Sequence, residues 1–281
     1  MKSIKILVIV ALLLLPAWSF AKSQVQASQI IAQIDQGKAV RYSDVEIVGT
    51  LDLTSIKDRQ LDERHRGAKG LFHGSSLTYW SHARVPVVFS RCVFRGDVLA
   101  YVHDDDENKT TNVVFHEETG FQECEFQGRA HFKYVKFKKA TDFNKTTFRS
   151  EALFKYTTFS TDVRFADSRF QGDANFKYVD FPGSADYANA DFRREANFKY
   201  AKFPTAAFTK VVFQDEANFK YAKFRGTALF AQATFKGLAN FKYAEFSEDT
   251  DLGSASFEDD TEFKYTKVRG RSFTEHLLKK R

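Results

Sequence analysis

The sequence predicts an all-β solenoid, a chain wound into a four-sided coil of short strands. Three observations predict it. The tripeptide Phe-Lys-Tyr begins at Phe132, Phe154, Phe176, Phe198, Phe219, Phe241 and Phe263, a spacing of 22 residues with one step of 21. A fixed period of that length marks repeats that bury an apolar side only by stacking on their neighbours. Within the period, large apolar residues recur at alternating steps of six and five, as at 126, 132, 137, 143, 148 and 154, and the beat runs from Phe115 to Val268. Finally, 31 of the 281 residues are Phe and 11 are Tyr against one Met, so Phe fills the core role usually shared by Leu, Ile and Val.

The N-terminus has the pattern of a secretory signal peptide over residues 1–21. Lys2 and Lys5 form the charged region, Ile6 to Leu15 the apolar stretch, and Ser19-Phe20-Ala21 a cleavage site. The apolar run is short for a membrane-spanning helix. Cleavage would lower the formal charge from +6 to +4, 40 basic against 36 acidic groups. The expected compartment is periplasmic or extracellular, with no transmembrane segment after cleavage. Residues 22–44 are expected to form an N-terminal helical cap, since Ala27, Ile30, Ile31 and Ile34 share one helix face and Gly37 follows. The coil is expected over 45–269, led in by Val45, Ile47, Leu51 and Leu53. Arg59 to Lys69 is highly charged and is expected to loop out. A last helical turn within 270–281, from Phe273 to Leu278, would cover the final coil, because an open sheet edge invites aggregation.

An α-helix cannot use the five-six beat. Five residues advance a helix by about 140°, so successive Phe residues leave any single stripe. A flat strand fails too, because an odd step reverses the face. A chain that turns a corner every five or six residues aims each Phe inward. Two positions before many of them lies a small residue, as at Ala174, Ala196, Ala217 and Ala239, which leaves room for neighbouring rings. Segments such as Ala196-Asn197-Phe198-Lys199-Tyr200 and Ala201-Lys202-Phe203-Pro204-Thr205 resemble the pentapeptide-repeat family, whose unit is Ala-Asp/Asn-Leu/Phe-x-x. The resemblance covers roughly residues 85 to 269 and implies a right-handed quadrilateral β-helix. The departure from it is an extra residue in every second unit, expected as bulges at two opposite corners. Seven coils at about 4.8 Å each would give a rod of roughly 35 Å.

Residues 101–113 interrupt the beat with Asp104, Asp105, Asp106 and Glu107, and consecutive acids lack the alternating ligand spacing of calcium loops. A solvated surface loop is expected there. Cys92 and Cys124 both occupy the small-residue position before a Phe. If they stack in adjacent coils, either a disulfide or two buried thiols would result. The seven His residues show no shared register, and no metal or cofactor is expected. No nucleophile-base order, phosphate loop or Cys-x-x-Cys pair points to an enzyme, and a core filled with Phe leaves no deep pocket.

Stacking turns the tripeptide into surface columns. One is Lys133, Lys155, Lys177, Lys199, Lys220, Lys242 and Lys264; beside it runs Tyr134, Tyr156, Tyr178, Tyr200, Tyr221, Tyr243 and Tyr265. Asn175, Asn197, Asn218 and Asn240 form a third column, and Glu151, Asp173, Glu195, Glu216 and Asp260 an acidic one four residues before the lysines. As architecture, the Tyr ladder gains stacking energy. As a site, it would dock an anionic polymer or a carbohydrate of the cell envelope, Lys pairing charges and Tyr offering flat surfaces. A scaffold presenting the rod to protein partners is the alternative. Some members of the resembled family protect DNA gyrase as acidic mimics of duplex DNA; a mildly basic, exported chain argues against that role and against nucleic acid as a partner.

Overall fold

The computed structural model describes residues 22–62, 77–248 and 250–274 of the 281. The leader expected over 1–21 lies outside them, as do most of the charged segment 59–69 and the C-terminal turn beyond 274. Over the rest, the chain winds into four stacked parallel sheets, here walls A to D in the order the chain visits them. One coil runs through Thr141–Asp142 on wall A, Thr147–Phe148 on wall B, Ala152–Leu153 on wall C and Thr158–Phe159 on wall D. Each two-residue strand pairs with its equivalent one period later: Thr141 with Val163, Thr147 with Arg169, Ala152 with Ala174. Walls A, B and C hold eight, ten and nine strands, and wall D two runs of six and five joined through bridges at Asp180.

The core is a set of aromatic columns. On the wall C side, Phe132, Phe154, Phe176, Phe198, Phe219, Phe241 and Phe263 stack with centroids 4.9–5.2 Å apart. Columns from different walls meet edge to face, as where Phe154 meets Phe165 at 5.3 Å and 83°. Parallel stacking along the axis with edge-to-face contact across it satisfies the ring quadrupoles in both directions. Each buried Phe contributes roughly 2 kcal/mol, largely offset by chain entropy. The small positions between columns take hydroxyls where these find a carbonyl: Thr157 donates to Phe132 O at 2.6 Å and Ser168 to Phe143 O at 2.7 Å.

The five-residue steps turn at two opposite corners, A to B and C to D. Each is a four-residue turn closed by a backbone bond, such as Ala201 N to Phe198 O at 3.0 Å. Its third residue has positive φ, the sign pattern of a type II turn. The six-residue steps turn at the other two corners, B to C and D to A. The extra residue thus lies at two opposite corners as expected, but it widens the corner between strands, as at Arg149-Ser150-Glu151, and is not a bulge inside a ladder.

At the N-terminal end, helix α1 (Ala27–Asp35) buries Ala27, Ile30 and Ile34 over the first coil. The coil itself starts earlier than residue 45: Ser23–Gln26 already pairs on wall B and Val40–Ser43 on wall A. Arg59–Leu61 is a strand antiparallel to Leu77–Ala83. The interruption at 101–113 lies in a hairpin, Tyr101–Asp104 against Lys109–Phe115, that extends wall D, and the acids sit at its exposed tip as a solvated turn. The Asp104 carboxylate accepts from Asp106 N and Glu107 N, so its oxygens serve the tip. At the other end Phe273 stacks on Phe263 at 4.4 Å and covers the last aromatic of its column.

Candidate functional site

The Phe-Lys-Tyr corner, between walls C and D, is where the sequence places its candidate residues. Tyr134, Tyr156, Tyr178, Tyr200, Tyr221, Tyr243 and Tyr265 all have φ of 60–63°. This left-handed conformation costs a residue with a Cβ roughly 1–2 kcal/mol. The twin corner, A to B, repeats the same turn with Lys145, Asp167, Asn189, Lys210 and Gln232 at φ of 56–59°. The backbone therefore does not require Tyr. What Tyr adds is contact with the coil above and below: successive rings lie 4.7–4.8 Å apart, the first six within 3° of parallel.

This stacking corrects one expectation. The ring faces meet one another along the rod axis and do not lie open as flat platforms. Each Lys ammonium also approaches the ring of the Tyr that follows it, at 5.1–5.9 Å from the centroid. Ring edges and hydroxyls face outward, and Tyr265, the end ring, is 57% exposed.

The lysine column is electrostatically unbalanced. Lys133 donates to Tyr101 Oη at 3.0 Å, and Lys242 lies 4.0 Å from Glu262. Lys155, Lys177, Lys199 and Lys220 have no carboxylate within ion-pair reach among the described residues. Partial burial, and then the lysines on the rungs above and below, lower the affinity of Lys155 and Lys199 for their protons. Other cations on the flanking walls are matched: Arg95 with Glu46, Arg149 with Glu125 and Arg193 with Asp191 on wall B, and Lys202 with Asp180 and Lys223 with Glu245 on wall D.

The asparagine column has an architectural role. Asn175, Asn197, Asn218 and Asn240 each accept the backbone N–H of the next lysine at 3.1–3.2 Å, fixing the entry to the turn. The acidic column lies at the B to C corner, across wall C from the lysines, so it does not neutralise them. Asn197 and Asn218 hold Glu195 and Glu216 by their amide N–H groups at 2.9 and 3.1 Å.

The tyrosine edge overhangs wall D and lines two grooves. One of about 410 Å³ runs past Tyr200, Tyr221, Tyr243 and Tyr265. The other, about 780 Å³, lies between Tyr134, Tyr156 and the N-terminal part of wall D. Several residues in and beside it are invisible to the repeat. Tyr101 extends the tyrosine column from the hairpin, 5.9 Å from Tyr134. Lys136 Nζ lies 3.7 Å from the centroid of Trp80, whose indole donates to Asp62 at 2.9 Å. His82 and His116, without shared register in the sequence, meet with Nδ1 and Nε2 2.8 Å apart, and burial holds both below the ordinary histidine value. Irregular coil lengths before Phe115 hid these pairings.

Cys92 and Cys124 lie beside one another on wall B, since Val93 pairs with Glu125. The structure holds them as two buried thiols and not as a bond. A hydrogen bond from Cys124 lowers the Cys92 thiol to about 7, while burial raises Cys124. Among the described residues no group of three or more His, Cys, Asp or Glu is arranged for a metal, and no helix is long and apolar enough to cross a membrane.

No curated protein and no solved structure matches the chain. A family model described as pentapeptide repeats matches residues 132–180, 176–223 and 219–267, the stretch in which the coils are most regular. With four walls, a two-residue strand on each and the Ala-Asn-Phe register, the chain belongs to the pentapeptide-repeat family.

Proposed function

We propose that this protein is a non-enzymatic binding module that holds a linear anionic polymer along its lysine-tyrosine edge, outside the cytoplasm. The observation that carries this reading is the run of lysines without a carboxylate partner, Lys155, Lys177, Lys199 and Lys220, on a corner whose twin builds the same turn without it. Seven cations at one rung each repel by about 0.8 kcal/mol per neighbouring pair in water. A polyanion lying along the edge reverses the sign of that interaction at every rung. The stacked tyrosines act as a stiff base that keeps the ammonium groups in file. Because the ring faces are engaged by one another, an acidic chain fits better than a neutral sugar that would need an open aromatic platform. The charged and apolar segment at residues 2–15 supports export and therefore an envelope polymer as the ligand class.

The test is retention on an anionic polysaccharide matrix at low salt. Lys155→Glu, Lys177→Glu, Lys199→Glu and Lys220→Glu combined should abolish it. Reversing Lys38, Lys139, Lys210 and Lys236, which are exposed and lie off this edge, makes the same change in net charge and should only weaken it. Equal losses from the two sets would mean that net charge alone is read, and unchanged retention in the first set would refute the reading.

A further inference from the structure

Wall C is bordered on one side by the lysine column and on the other by Glu195 and Glu216, which have no cation within ion-pair reach among the described residues. Burial, and then the Glu195 charge, raises the Glu216 carboxyl above its ordinary value. The unpaired lysines Lys155, Lys177, Lys199 and Lys220 and the unpaired Glu195 and Glu216 thus flank the strip that carries Asn175, Asn197 and Asn218, while Glu151 meets His131 at 2.9 Å and Asp173 lies 3.8 Å from Arg194. Within the rod the unpaired lysines and acids do not meet, because the width of wall C lies between them, where Asn197 donates to Glu195 and accepts the backbone N–H of Lys199. On walls A, B and D, by contrast, Arg164, Arg149 and Lys202 each meet a carboxylate on their own or a neighbouring rung.

We infer that wall C is a pairing face for a second copy of this chain, with the two rods parallel and in register. The geometry selects this arrangement. Rotating a copy by half a turn about an axis parallel to the rod brings its wall C against the first and exchanges the two edges. Lys155, Lys177, Lys199, Lys220 and Lys264 then each face an acid at the same pitch, with Lys199 opposite Glu195 and Lys220 opposite Glu216 of the second copy, while Lys133 and Lys242 face Arg129 and Leu238. Rotation about an axis across the wall instead gives antiparallel rods, with lysines against lysines. The parallel pair is isologous and closed, and the asparagine column lies near its axis. Its contacts are exposed ion pairs, so the association is weak and salt-sensitive. The inference rests on the same unpaired lysines as the polymer reading but not on the polymer; a polyanion would compete with the second copy.

Sedimentation of the full chain over a range of concentrations at low salt should show a monomer–dimer equilibrium that dissociates with added salt. Glu195→Lys with Glu216→Lys should raise the dissociation constant by about tenfold or more, because each reversal acts twice in a two-fold pair. Lys199→Glu with Lys220→Glu should do the same. An equimolar mixture of the two double variants should restore the dimer, which a misfolded variant could not do. In the parallel pair, Asn175→Cys and Asn240→Cys should each crosslink to its own copy, and crosslinking only when the two are mixed would mean antiparallel rods. A monomer at all concentrations, a dimer indifferent to both reversals, or growth into larger species would each overturn the inference. Polymer retention separates the two ideas, since the glutamate reversals should leave it intact while removing the dimer.

Discussion

Tyr187 is the one residue of the regular core columns that carries a polar atom into the aromatic interior. It stacks between Phe165 and Phe208 at 5.0 and 5.1 Å, is fully buried, and its hydroxyl finds no partner among the described residues. Burial alone raises its pKa well above the ordinary tyrosine value. An unpartnered buried hydroxyl costs about 1–3 kcal/mol relative to its absence. Tyr187→Phe should therefore stabilise the protein by about 1–2 kcal/mol, read as a higher denaturation midpoint with an unchanged slope. A lower midpoint would mean that the hydroxyl is satisfied. At this scale the sequence was legible wherever one side chain does one job: inward Phe, small Ala before it, a polar residue between. It was opaque at the seven tyrosines, because left-handed backbone is read from Gly, Asn or Asp and nothing in Phe-Lys-Tyr announces it.

The corner is the element on which site and fold meet, and its two versions form an internal comparison. Gln232 and Tyr200 sit at the same place in the same turn, with φ of 58° and 62°. Asn tolerates this conformation better than either. Gln232→Asn should stabilise by a few tenths to about 1 kcal/mol. Tyr200→Asn gains the same relief but loses stacking on Tyr178 and Tyr221, about 0.5–1.5 kcal/mol each, and should be destabilising by about 1 kcal/mol. Chemical denaturation of the two variants decides it; equal shifts would mean that the tyrosine ladder adds nothing to stability. The walls and the alternation of corners could be read from the five-six beat, since a buried ring on every wall leaves the period in the chain. The hairpin at Tyr101–Asp104 and the groove holding Trp80, His82 and His116 could not, because they are set by pairing between coils of unequal length. The single 21-residue step was visible as a number, but its consequence was not. The missing residue shortens the corner at Pro204-Thr205, and in the next coil Gly226 lies so close to the Pro204 carbonyl that a Cβ would collide with it.

The whole molecule has a pseudo-repeat of half a coil, and this allows its architecture to be separated from its edge chemistry. Ala185-Asp186-Tyr187-Ala188-Asn189-Ala190-Asp191-Phe192 on walls A and B matches Ala196-Asn197-Phe198-Lys199-Tyr200-Ala201-Lys202-Phe203 on walls C and D, position for position. Both stretches share the side-chain bond into the turn, Asp186 to Ala188 N at 2.9 Å and Asn197 to Lys199 N at 3.1 Å. Deleting residues 176–197 removes one full coil and joins Asn175 to Phe198. Because Asn175 and Asn197 are ladder partners, every wall continues in register. The rod should stay folded, shorten by about 4.8 Å in solution scattering, and keep an unbroken lysine-tyrosine edge. Deleting residues 187–197 removes half a coil and joins Asp186 to Phe198. The core again receives a ring at every inward position, but all later lysines and tyrosines move to the opposite edge, splitting the column after Tyr178. Both deletions should unfold cooperatively with similar midpoints, since each loses repeat interfaces of the same kind. Polymer retention should divide them: near wild type in the full-coil deletion, and strongly reduced in the half-coil one, because neither half-column offers the span that simultaneous contacts require. Equal retention by both folded deletions would show that the continuous column is not what the polymer reads, and would leave the ladder with a purely architectural role.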